Sequence, residues 1–243
     1  MRITSSCAAK RLAGVVLLWF VFGVQAFGCA NSGEAERFQG LDIERARHLY
    51  SEGNEKEGRA LVRKLLEDAD WDMRSNAVRL IGDVRDTTLV PALHTALRDS
   101  VWEVRESSSR TLQWMGNETS LPFLREALSD PEPIIRSNAG EALAQIGGAS
   151  EVPTLVDLME ADEDMSVRAV MADALGAMAD TSAVLAMIRV LDGDPVAIVR
   201  AHVAIALGQI GDPRARPALE KALDDPDSGV RASAEMALRR LRE

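Results

Sequence analysis

Apolar and polar positions recur along most of this chain with a period of 31 to 32 residues. With Arg74 as the reference, arginines recur at Arg105, Arg136, Arg168, Arg200 and Arg231, at spacings of 31, 31, 32, 32 and 31. Six residues before each stands an aspartate: Asp68, Asp99, Asp130, Asp162, Asp194 and Asp225. An apolar residue immediately precedes each arginine (Met73, Val104, Ile135, Val167, Val199, Val230), and another follows seven later (Ile81, Leu112, Leu143, Leu175, Leu207, Leu238). Apolar positions at −1, +3 or +4, +7 and +10 trace one face of a 3.6-residue helix, so each unit opens with an amphipathic helix. A second, shorter helix is marked by Leu93, Leu124, Leu155, Met187 and Leu219 at +19, with another apolar residue at +23. A period of this length is the signature of a solenoid, in which each unit buries its apolar face only against its neighbours.

Punctuation supports both helices. Asp130-Pro131, Asp194-Pro195 and Asp225-Pro226 are expected to place an N-cap acceptor before a proline at the first helical position. Gly116, Gly147 and Gly211 fall where a left-handed C-terminal cap belongs. Pro91, Pro122, Pro153 and Pro217 fit the first turn of the second helix, where no backbone donor is lost. Mid-helix Gly82, Gly176 and Gly208 each cost about 1 kcal/mol relative to alanine, which close helix approach would offset.

Segments such as 194–223 (DPVAIVRAHVAIALGQIGDPRARPALEKAL) and 225–241 resemble bacterial HEAT repeats of the phycobilisome-lyase type, and the resemblance extends over about 68–243. It implies an all-α fold, a right-handed α-solenoid of HEAT-type helix pairs. The repeat type serves scaffolds, lyase subunits and regulators alike, so it implies architecture more than activity. Residues 41–67 are less regular, with a Gly-Asn turn and no arginine in register, and are expected to form a divergent N-terminal helical cap.

The start of the chain reads differently. Arg2, Lys10 and Arg11 precede an apolar run from Leu12 to Val24, and no acid appears before Glu34. That run of 13 residues is short for a bilayer span of roughly 20 and suits a signal peptide over 1–28. Two processing sites compete: Val24-Gln25-Ala26 has small residues at signal-peptidase spacing, and Ala26-Phe27-Gly28-Cys29 resembles a bacterial lipobox, with Ala26 and Phe27 as departures from its usual pattern. Cys7 would leave with the signal, so Cys29 would be a lone exported thiol with no disulfide partner, which favours lipidation there. Residues 29–40 then read as a polar tether. The resemblance implies a lipid-anchored envelope protein, on the outer membrane facing the periplasm because Ala30 and Asn31 carry no retention aspartate; the alternative is a soluble periplasmic or secreted protein.

Charge and composition narrow the function. The chain carries 28 basic and 38 acidic residues; loss of the signal would remove three bases and shift the net charge from −10 to −13. That excess argues against nucleic-acid binding, which needs a basic face. No HExxH, CxxC or GxSxG pattern occurs, and His48, His94 and His202 lie on different units. The acidic turns Glu160 to Asp164 and Asp224 to Asp227 lack the ligand order of an EF-hand loop. No catalytic residue, metal site or cofactor is therefore expected.

Two sets of candidate residues remain. The arginine and aspartate columns recur in every unit, which favours a structural ladder tying successive turns over ligand binding; the arginine fork suits several acceptors at once. Aromatic residues are sparse, yet Trp71, Trp102, Trp114 and Phe123 fall within two units. Trp71 and Trp102 occupy the same column and are expected to stack along one rim. Phe123 lies one repeat from His94 on a second helix, expected to line the inner surface. Trp71, Trp102, His94, Trp114 and Phe123 are thus the expected partner-binding site, with local core filling as the competing reading. The resulting expectation is a non-enzymatic scaffold that binds another protein; the alternative is a chromophore or small-molecule lyase subunit.

Overall fold

The computed structural model describes the backbone of residues 32–241 and the side chains of residues 41–241. The signal segment, Cys29 and the first residues of the expected tether lie outside that range. Thirteen α-helices and no strand occur among the described residues. Helix α1 (Ser32–Ser51) extends further back than the tether reading allowed, since Glu34, Ala35, Glu36 and Arg37 are good helix formers. It is followed by α2 (Glu55–Leu65), which buries Val62 and Leu65. No helix among the described residues is long and apolar enough to cross a membrane.

From there first and second helices alternate. The first helices are α3 (Trp71–Val84), α5 (Trp102–Met115), α7 (Pro133–Gly147), α9 (Met165–Met178), α11 (Ala197–Ile210) and α13 (Ser228–Arg240). The second helices are α4 (Val90–Ala96), α6 (Leu121–Ala127), α8 (Val152–Ala161), α10 (Val184–Gly193) and α12 (Arg216–Lys221). The −1 and +7 columns of the first helices and the +19 column of the second are all buried and form one continuous core. The fold is an all-α solenoid.

The ladder aspartates are not N-caps. Helix α7 begins at Pro133 after Glu132, and α11 begins at Ala197 after Val196, so Asp130 and Asp194 lie three residues ahead of their helices. Each aspartate instead accepts from the backbone N–H two residues on, as Asp130 does from Glu132 and Asp194 from Val196. Pro131 and Pro195 sit inside that turn, where no donor is needed. The left-handed caps differ too. Gly211 adopts one (φ 76°), Gly116 is extended and Gly147 is still helical, while Arg85 and Ala179 take the left-handed conformation in the Gly211 column.

Neighbouring first helices pack directly on one another along α3, α5, α7, α9, α11 and α13. The second helices rest mainly on the following first helix: α4 on α5, α6 on α7, α8 on α9, α10 on α11. Small residues permit the tighter layer: a Cβ on Gly176 would lie 2.7 Å from the Cβ of Ala206, and one on Gly208 would lie 2.6 Å from the Cα of Ala237. A stack curves toward its closer-spaced layer, so the first helices line the inner surface. This reverses the placement expected for the second helices and Phe123. The sequence period is the same for both layers; only the spacing between units distinguishes them.

Candidate functional site

Every arginine of the column except the last grips the aspartate of the following unit. Arg74 reaches Asp99 with Nε at 2.7 Å and Nη2 at 2.8 Å, and Arg105, Arg136, Arg168 and Arg200 repeat the bidentate fork on Asp130, Asp162, Asp194 and Asp225. The third nitrogen, Nη1, turns back to the carbonyl of its own unit's aspartate: Asp68, Asp99, Asp130, Asp162, Asp194 and Asp225 in order. Among the described residues Arg231 makes only that backward bond and one to Pro226. Each rung thus joins two consecutive turns and satisfies carbonyls that would otherwise lack donors. The fork from Arg74 holds the Asp99 carboxyl below the usual carboxylate range, and that from Arg200 does the same for Asp225.

A second column escaped the sequence reading. Asp86, Asn117, Asp180 and Asp212, twelve residues after the arginines, cap the short 3-10 turns that lead into the second helices. At the N-terminal end Asp86 also takes over the ladder's role. Its Oδ2 accepts from Arg59 Nε at 2.8 Å and from the Tyr50 hydroxyl at 2.9 Å, which ties the cap to the first full unit. The repeated Asx spacing at +12 was the available signal. Asp162, Asp164, Asp225 and Asp227 in the acidic turns are likewise engaged in turn and capping bonds.

The five expected partner residues divide between two faces. His94 and Phe123 belong to the second-helix layer: their rings stack at 4.2 Å between centroids, tilted by 11°, and Arg98 covers Phe123 from 5.0 Å. His94 is 6% exposed and bonds Ser120 Oγ at 2.8 Å, so its ring joins adjacent second helices and is not offered to a partner. Burial pushes its pKa down and nearby Arg98 pushes it further, both favouring the neutral imidazole.

Trp71, Trp102 and Trp114 belong to the first helices and remain 41%, 44% and 66% exposed. Trp71 and Trp102 line a shallow cavity of about 420 Å³ with Arg79, Arg110 and Ile134. Among the described residues ring stacking is confined to His94 and Phe123, so the expected Trp71–Trp102 stack is not formed. Trp114 borders a larger groove of about 1100 Å³ between α1, α3 and α5. Arg79 and Arg110 line both cavities; Asp72, Glu103 and Glu106 join them around Trp71 and Trp102, so that cavity is of mixed charge, and the excess of arginine belongs to the groove beside Trp114 on the inner side of the first two full units.

That surface is local. Five residues after the reference arginines the units carry Arg79, Arg110, Glu141, Asp173, Ile205 and Met236, so the charge reverses halfway along the inner face. Burial pushes the Glu141 carboxyl up despite the Gln113 bond, and Asp173 adds repulsion. Asp173 in turn faces His202 Nδ1 at 2.8 Å. Among the described residues no group of three or more His, Cys, Asp or Glu side chains is arranged to hold a metal ion.

Comparison with known proteins bears on the architecture. A family model described as HEAT repeats matches residues 59–144, 109–170 and 152–239. Among solved structures, the chain is similar to the complex of CpcE and CpcF of phycocyanin lyase from Nostoc sp. PCC7120, with 24% identity, TM-score 0.54, and 76% of this chain and 77% of that chain covered. It is also similar to an archaeal HEAT-like repeats protein from Thermococcus onnurineus NA1, with 15% identity, TM-score 0.54, and coverage of 85% and 96%. An engineered protein matches at 22% identity and TM-score 0.55, covering 74% of this chain and 95% of that one. These likenesses concern the fold alone. No curated protein matches the chain.

Proposed function

Because the chain belongs to the HEAT-repeat family, we propose that it is a non-enzymatic scaffold whose inner surface at α3 and α5 captures another protein. The observation that carries this reading is the exposure of Trp71, Trp102 and Trp114 on one face, beside unburied arginines. Tryptophan and arginine are the residues most enriched where truncation abolishes binding. A stacked helical array also supplies a preformed surface, so little ordering entropy opposes capture. We place this scaffold in the bacterial envelope, held by a lipid on Cys29, on the strength of the basic, apolar and small-residue pattern of residues 1–29.

The test pairs a binding variant with a stability control. Trp71→Ala/Trp102→Ala should lose a partner that wild type captures from envelope extracts, with helical circular dichroism and melting unchanged. A large drop in Tm with capture intact would favour core filling. Palmitate labelling that is absent from wild type, or that persists in Cys29→Ser, would remove the anchor. The fold-level likeness to the phycocyanin lyase complex favours the second reading, a small-molecule lyase subunit; a chromophore co-eluting with the protein would establish it.

A further inference from the structure

The groove between α1, α3 and α5 contradicts the charge of the molecule around it. Arg47, Arg79, Arg85 and Arg110 all line it, with Asp83 the one acid in its wall among the described residues, although the whole chain is acidic. Two of these arginines already have partners: Arg47 Nη1 bonds Asp83 at 3.0 Å, and Arg110 pairs with Glu106 one turn earlier. The other two do not. Among the described residues Arg85 has no carboxylate within bonding distance, and the side-chain partner of Arg79 is Asn76 at a marginal 3.5 Å. Ile43, Leu80, Met115 and Trp114 supply an apolar wall beside them.

We propose that this groove seats an extended, acidic segment of a partner polypeptide, with carboxylates on Arg79 and Arg85 and an apolar side chain against Trp114. The inference rests on the scaffold reading above and names the chemistry of its partner. Arg79 stands in the second half of α3 and Arg85 is the left-handed residue that closes it, and both line the same groove beside Trp114. A groove of about 1100 Å³ is far larger than a lone phosphate or small dicarboxylate needs, and its apolar wall would go unused by either. A nucleic acid fits less well, because its continuing phosphates would run along the inner face into Glu141 and Asp173. A short acidic segment ends before reaching them.

The experiment measures binding of a fluorescently labelled peptide, acetyl-Glu-Phe-Glu-Leu-Glu-amide, to the full chain by anisotropy. Its all-Gln counterpart, inorganic phosphate and a single-stranded oligonucleotide serve as competitors. The acidic peptide should bind, weaken on raising salt, and bind about tenfold or more weakly to Arg79→Gln/Arg85→Gln. Neither arginine is ion-paired among the described residues, so the double variant should melt as wild type does. Equal binding to the double variant, equal binding of the all-Gln peptide, or stronger competition by phosphate or oligonucleotide would overturn the proposal. If the arginine variant still captures the native partner while Trp71→Ala/Trp102→Ala does not, the scaffold reading survives and the acidic occupant is wrong. If neither variant affects capture, both fail.

Discussion

The ladder offers an internal control, because one column contains both a complete rung and an incomplete one. Arg136 and Asp162 have side chains only 8% and 6% exposed, and the guanidinium makes four bonds: 2.8 and 2.7 Å to Asp162, and 2.9 and 3.1 Å to the carbonyls of Asp130 and Pro131. Arg136→Leu would leave a buried carboxylate unpaired, at a cost of about 3 to 5 kcal/mol. For a chain of this size each kcal/mol lowers Tm by about 2 to 4 °C, so a drop of about 6 to 20 °C is expected. Arg231 is exposed and among the described residues its fork meets no carboxylate, leaving its bonds to the carbonyls of Asp225 and Pro226. Arg231→Leu should therefore cost about 1 kcal/mol. Urea unfolding followed by far-ultraviolet circular dichroism compares them directly. Adding Asp162→Leu to Arg136→Leu should recover more than about 1 kcal/mol relative to the sum of the single effects. Equal losses at Arg136 and Arg231, or strict additivity in the double variant, would refute the account of the rung as a buried, coupled pair.

Two further outcomes follow from local geometry. Gly208→Ala should destabilise by about 1 to 3 kcal/mol despite alanine's better helix propensity, because the new Cβ meets the Ala237 backbone at 2.6 Å; Gly193→Ala has nothing within 4 Å and should stabilise by about 0.4 to 1 kcal/mol. Urea midpoints that move in the same direction for both would contradict the close-approach explanation. Burial pushes the Asp86 carboxyl up, but bonds from Thr88, Arg59 and Tyr50 outweigh it and hold its pKa at about 2. A folded pKa below the unfolded value of about 3.9 gives stability that is present above pH 4 and is lost as pH falls toward and below 2, about 2 to 3 kcal/mol in all. The stability gap between wild type and Asp86→Asn should narrow by that amount across this window, and a gap independent of pH would show that the ion pair is not its source.

The ladder and the groove show different uses of the same side chain. In the rungs, arginine is held by a carboxylate and by backbone carbonyls of a turn, and its charge is spent inside the fold. At Arg79 and Arg85 no such acceptor is present among the described residues, and the charge faces solvent on a concave surface. Regular recurrence marks the first use, and confinement to the first two units marks the second.

The sequence by itself determined the helices, their period and the residues of the ladder, because a repeat of 31 to 32 residues and a 3.6-residue apolar face are local properties of the chain. It also isolated the tryptophans, since a column of Trp71, Trp102, Pro133, Met165, Ala197 and Ser228 is visibly uneven. Three decisions belonged to the tertiary structure. That Arg136 grips Asp162 of the next unit, while holding the carbonyl of its own Asp130, depends on how far one unit sits from another. That the first helices form the inner layer depends on the tight contacts at Gly176 and Gly208. That Trp114 shares a surface with Trp71 and Trp102 while His94 and Phe123 are stacked in the opposite layer follows from both. Periodicity fixes which face of each helix is buried; only the distances between helices set the direction of curvature, and with it the surface on which exposed side chains meet.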